Sequence, residues 1–304
     1  MKKIVTMASV TIMLAACGQN EKEFDATGTF EATEVTVSAE QAGTLLRLAL
    51  EEGDNIEAGQ EVGLIDTTQL WLKLQQADAT IAVYRSQKPD MEKQIAATRQ
   101  QLEKAKTEQQ RYQELVGDGA APSKLLDDAT NQVQVLQRQL DAQMSSLGTQ
   151  LSTLDAQQST VDVQKSQLRD QLQKCHIVAP LTGTVLERYA EQGEFAATGK
   201  PLFKLGDMQH VYMRAYVTSA QLQQIKVGQQ AKVFADFGSG QRKAYDGVVS
   251  WISSRSEFTP KGILTDDERA DLVYAVKIAV ENDGNIKIGM YGEVAFKGKG
   301  KSEK

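Results

Sequence analysis

The sequence predicts an elongated α+β chain: a small β-module split into two halves, a long antiparallel α-helical coiled-coil hairpin between the halves, and a small antiparallel β-barrel after them. Three observations carry this reading. The chain matches itself at an offset of 140 residues, an apolar seam repeats every seven residues between the two copies, and after Val211 the pattern turns to short alternating strands.

The chain opens on Met1-Lys2-Lys3 and an apolar run from Ile4 to Ala16. A basic start, a short apolar stretch and small residues before a cut describe a secretory signal over residues 1–16, too short to span a bilayer. The order Leu14-Ala15-Ala16-Cys17 resembles the lipobox of bacterial lipoproteins, which implies cleavage before Cys17 and diacylation of its sulfur. The expected mature chain is therefore extracytoplasmic and lipid-anchored, with residues 17–36 forming the anchor and an N-terminal strand. No later stretch reaches the roughly 18 consecutive apolar residues of a membrane helix. The chain has 34 basic and 40 acidic residues; removal of Lys2 and Lys3 leaves 32 against 40, a formal charge of −8. That balance argues against a nucleic-acid partner. With Cys17 acylated, Cys175 is the one remaining thiol and no disulfide can form within the chain.

The self-match aligns residues 37–46 with 177–186 and continues through Gly53, Gly59 and Val62 against Gly193, Gly199 and Leu202. Glycines recurring at Gly43/Gly183, Gly53/Gly193 and Gly59/Gly199 mark tight turns between short strands. Each half (37–67 and 176–207) has too little apolar surface for a core of its own, and two packed face to face have enough.

Between the halves, residues 68–175 read as helix. Positions 74, 77, 81, 84, 88, 91, 95, 98, 102, 105, 109, 112 and 116 step by three and four and are mostly apolar. On the return arm, positions 126, 133, 140, 147, 154, 161, 168 and 175 read Leu, Val, Leu, Leu, Leu, Val, Leu, Cys. Such a seam is that of a coiled coil. The turn at Gly117-Asp118-Gly119-Ala120-Ala121-Pro122 places the tip at 116–123, with Ser123 suited to cap the second helix. Arms of roughly 45 to 50 residues at about 1.5 Å each project about 70 Å. Pro89 bends the first arm or joins two shorter helices. A rod of this kind is a spacer or a reach device with no interior for a substrate.

A β-module split by a helical hairpin resembles the HlyD-like periplasmic adaptor (membrane fusion protein) family. The matching residues are Ala39, Gly43 and Gly53-Asp54 to Gly59, then Ala179 to Val185, Gly193-Glu194 and Gly199 to Leu202. The resemblance implies a lipoyl-like β-sandwich for the two halves. True lipoyl carriers present a modifiable lysine between the halves, where this chain has the hairpin, so carrier chemistry is not expected. The segment from Glu257-Phe258-Thr259-Pro260-Lys261 to Val276-Lys277 looks like adaptors that serve ABC-type exporters.

The resemblance further implies an inner-membrane transporter partner, a hexameric ring of copies, a periplasmic location on the inner membrane, and a hairpin tip that contacts a TolC-like outer-membrane channel. The family's tip pattern falls on Arg111, Leu115 and Ser123, with Asp118 in the turn between them. The turn departs from the usual pattern by one extra residue and by Pro122. Arginine offers a planar donor fork to carbonyls or carboxylates, and leucine an apolar knob.

From residue 208 to 297, Val211–Val217, Ala231–Ala235, Tyr245–Ser254, Leu272–Val280 and Gly292–Phe296 read as strands, with one short helix over Ser219–Ile225 ending at Gly228; 298–304 is a polar tail. Five or six strands with one helix fit a small barrel, and a membrane-proximal domain is expected either to be reduced or to be shared with the stretch Phe24 to Val35.

Nothing in the sequence marks an enzyme, a cofactor or a metal site. Neither His176 nor His210 belongs to a catalytic motif, and neighbouring Cys175 and His176 on a strand point to opposite faces. The competing reading is a coiled-coil lipoprotein spacer of the cell envelope with no transporter partner. Length and heptads fit it equally; the split repeat does not, because a plain spacer has no reason to return its chain to complete a β-module.

Overall fold

The computed structural model describes residues 24–238, 240–257 and 272–297. Cys17 with the signal sequence, the middle of the exporter-like segment and the polar tail lie outside the described residues.

The first half-module holds β2 (Gly43–Leu48), β3 (Asn55–Ile56) and β4 (Glu61–Ile65); the second holds β5 (His176–Val178), β6 (Gly183–Arg188), β7 (Phe195–Ala196) and the start of β8 (Pro201–Thr218). The halves are exchanged, not merely stacked. Strand β2 pairs with β7 of the other half, with Gly43 opposite Ala196, and β6 pairs with β3, with Gly183 opposite Ile56. Backbone bonds repeat the exchange 140 positions apart: Leu45 N–H donates to Glu194 and Val185 N–H to Asp54, while Gly59 N–H donates to Ala179 and Gly199 N–H to Ala39. One core, including Leu45, Ile65, Val185, Leu202, Phe203 and Leu205, lies between the halves.

The hairpin leaves from β4 and returns to β5. Its outgoing arm is two helices, α1 (Thr68–Gln87) and α2 (Met91–Gly117), and its return arm is one, α3 (Ser123–Gln173). Pro89 removes a helical N–H and disfavours helix at Lys88, and Asp90 starts the next helix by accepting from Lys93 N–H. Pro89 therefore joins two shorter helices. All the seam positions of both arms are buried or half-buried except Lys88, which lies in the link. Ser123 does not cap α3. Pro122, in extended conformation, occupies the cap position, and Ser123 is the first helical residue.

The barrel consists of β1 (Ala26–Ser38), the far part of β8, β9 (Gln230–Asp236), β10 (Arg242–Glu257), β11 (Val273–Glu281) and β12 (Tyr291–Phe296), in the order β1-β12-β9-β10-β11-β8. Because β1 pairs with both β12 and β8, the six strands close on themselves and leave no free edge. The N-terminal stretch expected in a membrane-proximal region is thus the strand that shuts the barrel. Phe30, Met213, Val233, Ile278, Ile286 and Val294 fill its interior. The helix expected through Ile225 ends early: α4 (Ser219–Leu222) has a capping box between Thr218 and Gln221, after which the chain turns to bury Ile225 in the barrel core.

Strands β1 and β8 run through both sandwich and barrel as a paired ribbon, from Thr27 opposite Tyr216 to Ser38 opposite Pro201. The order along the molecule is therefore barrel, sandwich, hairpin.

Candidate functional site

The hairpin tip is where the rod presents side chains to anything beyond it. Helix α2 stops because Gly119 takes φ +70°, a conformation that glycine adopts without penalty. Ala120 N–H then donates back to Leu115 at 2.8 Å and Gly119 N–H to Val116 at 3.0 Å, the paired bonds of a Schellman ending. Asp118 is the last half-helical residue, with its own N–H on Glu114. Pro122 then sets the extended entry to α3.

Arg111 and Leu115, four residues apart, share one face of α2. Leu115 is 37% exposed. Arg111 is also exposed, and it pairs with Glu108 at 3.3 Å, a surface pair of little energetic weight that leaves the guanidinium available. Asp118 and Ser123 are exposed on the turn and on the first residue of α3. The tip thus gathers all four residues singled out in the sequence onto the outermost turns of two helices. It also brings up Leu125, 39% exposed on the facing arm. Leu125 belongs to neither seam column, and only closure of the turn places it near the tip, so the heptad pattern could not reveal it. The end of the rod thus presents a cation fork, a carboxylate, a hydroxyl and two apolar knobs to solvent.

Two further polar clusters sit near the sandwich. Glu61 accepts from Arg47 at 2.5 Å and lies 2.9 Å from His176 Nδ1; the hydrogen bond with His176, helped by the charges of His176 and Arg47, holds its carboxyl below the usual range. His210 Nδ1 lies 3.0 Å from Asp207, whose carboxyl is held low by hydrogen bonds from His210 and Gln209 in spite of burial, the largest single influence, which acts in the opposite direction. The first cluster ties β2, β4 and β5 together, whereas the second lies within β8. Cys175 is buried, and burial, with the nearby Asp66 charge, pushes its thiol pKa up. Among the described residues no group of three or more metal-ligating side chains converges, and no helix is long and apolar enough to cross a membrane.

Comparison with known proteins places this architecture. A family model described as "RND MFP, barrel-sandwich hybrid domain" matches residues 33–206, which takes in both half-modules and the whole hairpin. Proteins named UPF0194 membrane protein are similar throughout: that of Yersinia pseudotuberculosis serotype O:3 is 28% identical over 97% of this chain and 98% of its own length, and that of Citrobacter koseri 28% identical over the full length of both. Among solved structures, MacA from Actinobacillus actinomycetemcomitans aligns with TM-score 0.55 at 19% identity, covering 89% of this chain and 76% of that one. The membrane fusion protein Spr0693 from Streptococcus pneumoniae R6 aligns with TM-score 0.56 at 16% identity over 90% and 98%. At such identities the likeness is one of fold. The family model, spanning more than half of the chain and the very halves that exchange strands, is the stronger finding: the chain belongs to the HlyD-like periplasmic adaptor, or membrane fusion protein, family.

Proposed function

We propose that this adaptor bridges an inner-membrane transporter of the ABC type and a TolC-like outer-membrane channel, as one subunit of a tripartite export machine. The observation that carries the reading is the rod itself. Helix α3 has 51 residues, about 75 Å at the helical rise, with an exposed Arg111/Leu115 face at one end and the sandwich and barrel at the other. A chain so built connects two things far apart. Acylation at Cys17 would hold the barrel end at the inner membrane and direct the tip toward the outer one. Several copies, six in this reading, would set their hairpins side by side as a tube, so that individually weak tip contacts by Arg111, Leu115, Asp118 and Ser123 sum through avidity.

The test is an in-cell crosslink from photoreactive residues at Asp118 and Ser123, with Gln137 in mid-hairpin as control, followed by identification of the captured protein. Capture of an outer-membrane channel from the tip and not from Gln137 is expected. Capture of envelope polymer, or of nothing from a well-expressed chain, would favour the plain spacer.

A further inference from the structure

The two arms of the hairpin do not keep one register along their length. Near the base, Asp78 pairs with Lys165 and Lys88 with Asp155, so ten residues of the outgoing arm lie against ten of α3. From Lys88–Asp155 to the next cross-arm bond, Gln109 Nε2 to Thr130 Oγ1 at 3.0 Å, 21 residues of the outgoing arm lie against 25 of α3. The link at Lys88-Pro89-Asp90 accounts for the difference. Lys88 and Asp90 are extended (ψ 120° and 97°). Three extended residues cover about 10 Å where helix would cover about 4.5 Å, and the excess equals the rise of about four helical residues.

The return arm is weak at the same height. The stretch of α3 facing the link contains Gly148, Thr149, Ser152 and Thr153, preceded by Ser145 and Ser146, all poorer helix formers than the Gln and Leu that dominate on either side. Thr149 donates its hydroxyl to the Ser145 carbonyl and Thr153 to that of Thr149, back-bonds that loosen and bend helices. A Cβ at Gly148 would meet nothing within 4 Å, so packing does not require glycine there.

The packing changes at this level too. The hairpin's contiguous apolar cluster of Ile95, Leu102, Ala105, Leu136, Leu140 and Leu147 lies wholly on the tip side. On the base side α1 buries only Ala77 and Ile81, and the arms are tied by the two ion pairs.

We infer that the hairpin is a jointed rod, bending at Lys88-Pro89-Asp90 and the facing residues 148–155 of α3, with the tip half moving as one rigid body and the Lys88–Asp155 pair acting as the latch that holds it straight. A rigid upper segment of 27 residues is about 40 Å long, so a bend of about 15° moves the tip by about 10 Å. The joint is a property of the chain by itself and does not depend on which partner the tip meets.

Distance distributions from pulsed electron spin resonance on the full mature chain test this. Cys17→Ser and Cys175→Ala leave only introduced thiols, circular dichroism checks the fold, and two label pairs on exposed positions are compared. Gln75→Cys with Gln101→Cys spans the joint, and Gln94→Cys with Gln113→Cys lies within the tip half. The spanning pair is expected to give a distribution at least twice as wide, to widen further in Asp155→Asn and to narrow in Gly148→Ala. Equal widths for the two pairs in the otherwise unchanged chain overturn the joint, and a width indifferent to Asp155→Asn overturns the latch.

Discussion

Gly53 and Gly193, 140 positions apart, occupy equivalent places in the two halves of the sandwich: Gly53 N–H donates to Val185 at 2.9 Å and Gly193 N–H to Leu45 at 2.8 Å, each across to the other half. Both have φ above +90°, and a Cβ at either meets nothing within 4 Å. Their requirement is conformational, and alanine there should cost about 1–2 kcal/mol for the left-handed backbone. Gly183 is glycine for a different reason. Its Cβ would lie 2.5 Å from the Gly206 carbonyl oxygen, where strands β6 and β8 are joined. Urea denaturation should therefore rank Gly183→Ala as the more damaging, at about 2–3 kcal/mol, because backbone must move. Gly193→Asn should recover part of the Gly193→Ala loss, since asparagine tolerates that region. Equal losses at 183 and 193 would contradict the assignment.

The tip depends on Gly119 in the same way, but locally. Valine there would strain the Schellman ending and release the bonds from Gly119 and Ala120 to α2. At about 1–2 kcal/mol, the amides of Gly119 and Ala120 should exchange with deuterium roughly tenfold faster. The barrel and sandwich, far along the rod, should melt within about 1 °C of the parent, since distant sites act independently. Loss of tip crosslinks in Gly119→Val with normal melting would connect the geometry of the turn to docking. Unchanged exchange would show that the glycine is not what ends α2.

Much of this molecule was legible in the sequence because its two main signals are periodic. The heptad seam assigned inward faces on both arms, and Lys88 escaped it because the link around Pro89 is not helical. The offset of 140 paired Gly43 with Gly183 and Gly53 with Gly193, and the strand exchange follows from that equivalence. What stayed hidden depends on distant parts of the chain meeting. Nothing local in Ala26–Ser38 says that Ala26 will lie opposite Val294 and Thr27 opposite Tyr216, so the strand that closes the barrel could not be assigned. At the tip, Arg111 and Leu115 share a face by spacing alone, whereas Leu125 is brought up by the turn. Ser123 was suited to cap a helix, but Pro122 beside it fixes an extended backbone and takes the cap position.

Cys175 ends the return arm with its sulfur 3.3 Å from the Gln171 carbonyl and its carbonyl accepting from Ile65 N–H. Burial raises the pKa of this thiol, Asp66 adds to the effect, and a protonated, covered thiol is a poor nucleophile. In the mature chain at pH 8, a disulfide reagent should modify Cys175 at least about a hundredfold more slowly than in urea-unfolded chain. Rapid labelling in the folded state would mean that the hairpin base opens far more readily than its packing implies.

The loop between β11 and β12 carries an acid-sensitive tie to β10. Asp283 accepts from Lys243 and, at 3.0 Å, from Tyr245, and it also receives Asn285 N–H. The Lys243 hydrogen bond is the main cause that drives the Asp283 carboxyl far below its ordinary 3.8, and the same bond raises Lys243 above 10.5. For a depressed carboxylate, the unfolded chain takes up a proton first as pH falls, so the stabilisation is complete above the unfolded value and is lost as pH drops from there through the folded one. For the raised lysine the loss comes at the alkaline end, as pH rises through its folded value. The urea midpoint of the parent chain should therefore exceed that of Asp283→Asn by a constant margin between pH 5 and 8, and the margin should shrink steadily below about pH 4. A margin that holds unchanged down to pH 2.5 would mean that Asp283 is not ionised in this tie, and that the Lys243 contact is not what fixes the loop on the sandwich side of the barrel.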